Sequence, residues 1–163
     1  YFFNYNCFSC FMLDTHIQSW ENSMKKENIK FVRIPFAVHE SWEYTSKLYF
    51  IMKILGFEHY NQEIFNLVHQ EGYRFNSNED LYNLLSDKYK LSRDLVNIPH
   101  HIKRLDYMFN KSLIVADMLK VNSTPTIIVN DKNKIYRIRI KDGFVPMSFI
   151  LSLQKALKKS STS

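Results

Sequence analysis

The chain has 163 residues, a formal net charge of +6, 45% hydrophobic and 15% aromatic residues, and only 3 Gly and 2 Cys. This length predicts one domain, or one domain that carries an insertion, and 13 Phe, 10 Tyr and 2 Trp are enough to fill its core. A disordered or collagen-like chain is excluded, and no segment approaches the ~18 uninterrupted apolar residues that a membrane-spanning helix requires.

The first 40 residues predict a strand, a helix and a second strand. Residues 1–5 are aromatic and lack turn residues, which indicates a buried strand. Apolar side chains then recur on one helical face at Leu13, Ile17, Trp20 and Met24. Residues 31–38 predict a second strand, so this order is a βαβ unit whose two strands pair in parallel.

From residue 41 to about residue 118, nearly every segment has helical spacing. Two predicted helices end near Gly56, a candidate C-cap, and near Gly72. Ser77 begins a capping box that opens a third helix, and a long fourth helix is predicted from about residue 101 to residue 119. We therefore predict a helical insertion at residues 41–115, between two parts of one α/β domain at residues 1–40 and 116–163.

After Asn122 the spacing returns to that of strands. Residues 126–129 predict a strand, residues 130–133 a turn, and residues 135–140 a second strand whose alternation shifts once, which predicts a bulge. A closing helix is predicted around residues 149–157. Basic residues follow a two-residue period here, which fits a solvated strand face rather than the clustered patch that a nucleic acid requires. They are Lys132, Lys134, Arg137, Arg139 and Lys141.

Both cysteines lie in one C-x-x-C pair where the first strand meets the first helix. Unpaired N–H groups and the helix dipole would stabilise the thiolate of Cys7 relative to a free thiol of pKa ~8.5. Cys10 lies one turn further on, within reach of a disulfide and on the more buried side. This arrangement predicts that Cys7 attacks and that Cys10 resolves.

Other site chemistries find little support in the sequence. A zinc site is disfavoured because no second C-x-x-C or H-x-x-x-H accompanies the cysteine pair. Three glycines leave little room for a phosphate-binding loop. The histidines His39, His59 and His69 show no partner pattern. We therefore expect neither a metal nor a nucleotide.

Two segments resemble the DsbA-type thiol:disulfide oxidoreductases of the thioredoxin superfamily. Residues 1–11 are similar to the family's aromatic strand, short polar step and C-P-H-C helix start. Residues 121–126 are similar to its V-x-[GS]-[VT]-P segment, in which the proline is cis and packs against the disulfide; here the pair is Thr124-Pro125. Together with the order of elements, the resemblance implies a thioredoxin fold with an inserted all-helical domain.

The resemblance also implies a function. It implies an enzyme that introduces disulfides into reduced, unfolded exported proteins through Cys7 and Cys10, with no cofactor beyond that redox-active disulfide. Thr124 would present its backbone to an extended substrate. The implied location is the periplasm or bacterial cell envelope, and the implied partner is a DsbB-like membrane oxidase. Because the chain starts without Met or a signal-like profile, we expect a removed targeting segment.

Two alternatives remain open from the residues. One is a reductase or isomerase that uses the same cysteine pair. The other is a non-catalytic thioredoxin-like module for substrate binding or chaperoning, which the altered dipeptide Phe8-Ser9 favours and the two retained cysteines oppose.

The chain departs from the family pattern beside the cysteines. Phe8 and Ser9 replace the family's proline and histidine, and Ser9 can offer only a hydroxyl where the histidine is credited with stabilising the thiolate. The family's buried acid six residues before the first cysteine is Tyr1 here, whereas Asp14 matches an acidic helix position, either as a proton carrier or as a solvated residue. We expect a less depressed pKa for Cys7 and a less oxidising disulfide. Phe8 and Phe144 are predicted to form an apolar rim.

Overall fold

A short aromatic strand lies at the centre of the sheet in the computed structural model, which describes residues 1–26, 30–92, 94, 99–131 and 134–139. The strands are β1 (Phe2–Phe3), β2 (Ile34–Pro35), β3 (Thr126–Asp131) and β4 (Lys134–Arg139). The α-helices are α1 (Phe8–Lys26), α2 (Glu43–Ile54), α3 (Asn61–His69), α4 (Asn78–Asp87) and α5 (Pro99–Met118). Short 3-10 turns at Glu40–Trp42 and Glu58–Tyr60 precede α2 and α3.

The sheet has the order β2-β1-β3-β4. Strand β1 pairs with β2 in parallel, as the predicted βαβ unit requires, and with β3 in antiparallel fashion. Side chains alternate across β1, so Phe3 packs into the larger apolar cluster and Phe2 into a smaller one with Ala116 and Val121. Helix α1 therefore starts directly beyond the buried centre of the sheet.

Helix α1 buries the face that its apolar spacing predicts. The side chains of Leu13, Ile17, Trp20 and Met24 are at most 7% exposed. They belong to one hydrophobic cluster that also contains buried side chains of α2, α3 and α4. The helical segment therefore shares its core with β1 and with helix α1, at whose start the two cysteines lie.

The predicted helix ends in the insertion are confirmed by their backbone geometry. Gly56, just after α2, has a φ of +78°, a conformation that glycine adopts without a side-chain clash. At the start of α4 the Ser77 hydroxyl accepts a hydrogen bond from the backbone N–H of Asp80 at 3.2 Å. The Asp80 carboxylate accepts from the backbone N–H of Asn76, one residue earlier than a standard capping box would have it.

Two strand predictions are wrong in detail. The bulge expected after residue 135 is absent from the described pairs, because β3 and β4 pair without interruption from Thr126↔Arg139 to Asp131↔Lys134. Ile135 is consequently 59% exposed and lies on the opposite face from Ile138. The strand expected at residues 31–38 is only two residues long, Ile34–Pro35, although the backbone N–H of Phe36 still donates to the oxygen of Phe3 at 2.8 Å. The closing helix and Phe144 lie outside the described residues.

Candidate active site

The sulfur of Cys7 caps the N-terminus of helix α1. The backbone oxygen of Cys7 accepts the first helical hydrogen bond from Phe11 at 3.0 Å, which makes Cys7 the N-cap residue. Its Sγ accepts a hydrogen bond from the backbone N–H of Cys10 at 3.2 Å. An N-cap serine or aspartate oxygen would accept the same bond. The sulfur of Cys7 thus lies at the positive end of the helix.

The two thiols have opposite pKa shifts. A hydrogen bond from the Cys10 thiol is the largest contribution that lowers the pKa of Cys7, from 9.0 to about 7, against the opposing effect of burial. Backbone N–H groups of Ser9 and Cys10 add to this lowering. Cys10 is fully buried, and burial raises the pKa of its thiol well above the ordinary value. The two cysteines are free in this structure, so they form the reduced state of the pair.

These shifts predict how alkylation depends on pH. The rate for Cys7 should rise with pH and reach half its maximum at about pH 7, because only the thiolate reacts. Replacing Cys10 with alanine removes the thiol donor but keeps the backbone N–H of residue 10. A hydrogen bond to a charged group is worth ~1.5–3 kcal/mol, so the midpoint should move up by about 1–2 pH units. Coincident pH profiles of alkylation for the wild type and Cys10→Ala would show that the helix N-terminus alone sets the pKa of Cys7.

Thr124 and Pro125 lie beside the cysteines, although more than a hundred residues separate them in sequence. The peptide bond between them is cis. The Thr124 hydroxyl is buried and makes no hydrogen bond to nitrogen or oxygen within the described residues. Its side chain lowers the pKa of both thiols, as a hydroxyl that donates toward a thiolate does. The segment begins just before β3, whose antiparallel pairing with β1 brings it to the cysteine end of the sheet.

The dipeptide between the cysteines has one exposed member. The Phe8 side chain is 63% exposed, and Met12, one turn later on α1, is 53% exposed. The ring of Phe8 contacts Phe11 and the edge of His69, with centroids 6.1 Å and 5.7 Å away. Ser9 acts on Cys7 through its backbone N–H. Exposed apolar side chains therefore lie on the first turns of α1, next to Cys7 in the chain.

Asp14 is buried rather than solvated. Its carboxylate is fully buried and accepts hydrogen bonds from Arg33 at 2.6 Å, from Asn61 at 3.0 Å and 3.2 Å, and from Gln18 at 3.0 Å. The Asn61 amide oxygen in turn accepts from the hydroxyl of Tyr5 at 2.7 Å. Asp14 thus links helix α1 to the first residue of α3 and, through it, to the residue two positions before Cys7.

Tyr1 stands where the DsbA-type pattern has a buried acid, six residues before the first cysteine, and its side chain is neutral. Tyr1 is buried, and its hydroxyl has no hydrogen-bond partner among the residues that the structure describes. Burial, followed by the charge of a Cys10 thiolate, raises the pKa of this phenol well above its ordinary value. At neutral pH Tyr1 therefore cannot accept a proton from Cys10.

Sequence reasoning missed His69. Its Nε2 lies 2.7 Å from the backbone oxygen of Tyr5, which only accepts, so Nε2 carries the hydrogen. The ring stacks on Phe11 at 4.9 Å, and burial lowers the pKa of the imidazole. Because 64 residues separate His69 from Tyr5, no local pattern could have revealed this contact.

Sequence reasoning also missed Asn4, a fully buried amide whose backbone oxygen accepts a hydrogen bond from the N–H of Cys7 at 3.1 Å. A signal was present in this case: Asn4 is the single polar residue among the first five. A polar side chain inside an aromatic strand must find partners when it is buried.

Neither a metal cluster nor a membrane-spanning helix is found in the part of the chain that the structure covers. No group of three or more His, Cys, Asp or Glu side chains there could hold a metal ion. None of the helices there has the length and apolar character needed to cross a bilayer.

Comparisons with known proteins agree on the fold. No protein-family model matches the sequence, and no curated protein is a significant match. Among solved structures, DsbA from Xylella fastidiosa is 20% identical, with a TM-score of 0.77 over 99% of this chain and 84% of its own. A DsbA variant from Pseudomonas aeruginosa is 20% identical, with a TM-score of 0.82 over 99% of this chain and 85% of its own. A DsbA oxidoreductase from Neisseria meningitidis is 16% identical, with a TM-score of 0.76 over 99% and 83%. The chain therefore has the fold of the DsbA oxidoreductases, a thioredoxin fold with a helical insertion.

Proposed function

We propose that the protein is a thiol:disulfide oxidoreductase that oxidises reduced, unfolded proteins through Cys7 and Cys10. The observation that carries the proposal is the opposite shift of the two pKa values, with Cys7 at about 7 on a helix N-terminus and Cys10 raised by burial. A thiolate that is stable on Cys7 is a good leaving group from a mixed disulfide between Cys7 and the substrate. Burial keeps Cys10 protonated and away from competing thiols.

The reaction follows from this asymmetry. A substrate thiolate attacks the Cys7 sulfur of the Cys7–Cys10 disulfide, so a substrate–Cys7 disulfide forms and Cys10 leaves as a thiolate that takes up a proton. A second substrate thiolate then attacks the substrate sulfur of this mixed disulfide and releases the Cys7 thiolate. The substrate loses two electrons, and the cysteine pair gains them.

We infer an unfolded, apolar polypeptide as the substrate. The exposed side chains of Phe8 and Met12 offer an apolar surface beside Cys7. Thr124 lies two residues before β3, and in this proposal its backbone pairs with an extended segment, which would bind without reading side chains. The proposal includes export to the bacterial cell envelope and reoxidation by a DsbB-like membrane oxidase, which the likeness to the DsbA oxidoreductases supports.

We further propose that the disulfide is less oxidising than those of the strongest oxidases. The pKa of Cys7, about 7, is near that of thioredoxin and far above the ~3.5 of the strongest oxidase. Each pKa unit of thiolate stabilisation corresponds to ~1.4 kcal/mol, or ~30 mV for a two-electron couple. The same observation favours a reductase or isomerase as the second candidate function.

A redox titration against glutathione tests whether the disulfide is less oxidising than those of the strongest oxidases. We expect a potential clearly below the ~−120 mV of the strongest oxidases, and a value that high would contradict the weaker disulfide. In parallel, the oxidised protein is mixed with a reduced, unfolded client, and the reduced protein with insulin. Faster client oxidation than insulin reduction supports the oxidase, and the reverse supports the reductase.

A further inference from the structure

The exposed ring of Phe8 is held by two other rings. Phe8 is the first residue of α1, and its side chain is 63% exposed. Its ring contacts Phe11 with centroids 6.1 Å apart, and it meets the imidazole of His69 in a T-shaped arrangement at 5.7 Å. Aromatic pairs are favourable in such tilted and edge-on geometries. Phe8 therefore presents a ring of restricted orientation to solvent, immediately after Cys7 in the chain.

His69, the last residue of α3, joins this ring to the core. The imidazole stacks on Phe11 at 4.9 Å and lies within 25° of parallel to the ring of Phe65 at 6.3 Å. Phe65 is fully buried. The Nε2 of His69 lies 2.7 Å from the backbone oxygen of Tyr5, and a turn of the imidazole would break this hydrogen bond. Two rings and one hydrogen bond thus fix the imidazole, and through it the helical insertion supports the Phe8 ring.

The place of Phe8 in the chain decides what it can contact during disulfide exchange. In the mixed disulfide of the proposed reaction, the substrate cysteine is bonded to Cys7. Neighbouring Cα atoms are only about 3.8 Å apart, so a side chain next to the substrate cysteine is within reach of the Phe8 ring. A ring that is already ordered loses little conformational entropy when a second group packs on it. An aromatic side chain gains most, because it adds the attraction between rings to the burial of apolar area.

We propose that His69 is a specificity-determining residue, which holds the Phe8 ring as a subsite for an aromatic side chain next to the reacting cysteine of the substrate. The inference rests on the proposed function and deepens it by naming a class of preferred substrate. His69 acts through Phe8 and takes no part in the bond changes, so it is a positioning residue.

Two peptides that differ at one residue measure the subsite. Each has one cysteine in a mixed disulfide with glutathione, and the residue after this cysteine is phenylalanine in one peptide and serine in the other. The Cys7 thiolate of the reduced protein attacks the peptide sulfur, so a Cys7–peptide disulfide forms and glutathione leaves as a thiolate. Cys10 then loses its proton to solvent and attacks the Cys7 sulfur. The Cys7–Cys10 disulfide forms, and the peptide leaves as a thiolate.

Competition between the two peptides gives the ratio of their second-order rate constants from the loss of each peptide disulfide on a chromatogram. The same competition with a small dithiol in place of the protein supplies the intrinsic ratio, by which the first is divided. In the wild type the phenylalanine peptide should react about three- to tenfold faster, which is the range that an aromatic pair typically contributes.

Variants of His69 separate its ring from its hydrogen bond. His69→Gln keeps a side-chain donor for Tyr5 but has no ring, so the preference should fall below about twofold, the low end of what an aromatic pair contributes. His69→Phe keeps a ring against Phe11 but has no donor, and it should retain the wild-type preference. Phe8→Ser removes the subsite and should lose the preference. A role of the hydrogen bond alone would give the opposite order for the two His69 variants.

His59 provides a matched control. It is another histidine packed on aromatic rings, with centroids 4.1 Å from Tyr60 and 6.1 Å from Phe57. His59→Gln should leave the preference for the phenylalanine peptide unchanged. If His69→Gln does not fold, His69→Leu fills the space without a ring, and the same loss of preference is expected.

Three results would overturn the subsite. They are a folded His69→Gln or His69→Leu with the full preference, a folded His69→Phe without it, and a wild type that does not distinguish the two peptides. The peptide assay starts from the reduced cysteine pair and does not require the protein to act as an oxidase. A wild type that prefers the phenylalanine peptide but oxidises no reduced client would refute the proposed oxidase function and leave the role of His69 standing.

Discussion

Replacing Cys7 with serine is expected to reduce both client oxidation and insulin reduction to the uncatalysed background. Cys7 is the sulfur whose pKa lies at about 7, whereas that of Cys10 is raised by burial, so Cys10 alone cannot substitute for it at neutral pH. A serine hydroxyl can accept the same N-cap bond from residue 10, so the helix should remain folded. The measurement is the rate of client oxidation together with a thermal unfolding curve.

Two comparisons make this expectation specific. Ser23→Ala on the same helix removes a hydroxyl bonded to the backbone oxygen of Trp20 and should keep full activity. In Cys10→Ala, the Cys7 thiolate should still attack a substrate disulfide and release one substrate thiolate. Without Cys10 to resolve it, the substrate–Cys7 mixed disulfide should accumulate and be visible on a non-reducing gel. A folded Cys7→Ser protein that oxidised clients or reduced insulin as fast as the wild type would refute disulfide exchange through Cys7. A wild-type protein with neither redox activity would instead favour the chaperone-like module.

Replacing Arg33 with methionine is expected to destabilise the protein by ~3–5 kcal/mol. The guanidinium donates to the buried carboxylate of Asp14 at 2.6 Å and to Glu21 at 3.0 Å, and the Arg33 side chain is only 8% exposed. Methionine fills much of the same volume but leaves the charge of Asp14 buried with amide donors alone. Urea unfolding monitored by circular dichroism measures the loss.

Lys25→Met is the control for this substitution. Lys25 also pairs with Glu21, at 3.7 Å, but its side chain is 67% exposed, so its removal should change stability by less than ~1 kcal/mol. Equal midpoints for Arg33→Met and Lys25→Met would show that Asp14 is held well enough by Asn61 and Gln18 without the cation. Asp14 also connects through Asn61 to Tyr5, in the turn between β1 and Cys7, so the variant also tests the support of that turn.

Local patterns were sufficient for most elements of the fold. The spacing of Leu13, Ile17 and Trp20 predicted the buried face of α1, since residues three and four apart share one side of a helix. The change from an aromatic strand to helical spacing predicted a helix start at about Phe8, where α1 begins. The break in alternation after Ile135 suggested a bulge, and this failed because pairing with β3, which sequence spacing does not encode, decides the register.

The sequence by itself determined where the cysteine pair lies, the order of the described strands and helices and, through its likeness to a known family, the distant Thr124-Pro125 segment. Only the tertiary structure decided the surroundings of that pair. Asn4 meets Thr45 and Ser46 across about 40 residues, and His69 meets Tyr5 across 64. Asp14 is held by Asn61, 47 residues away. Hydrogen-bond partners of buried polar groups are set by which elements pack together, and that packing follows from the whole core rather than from any local run of residues.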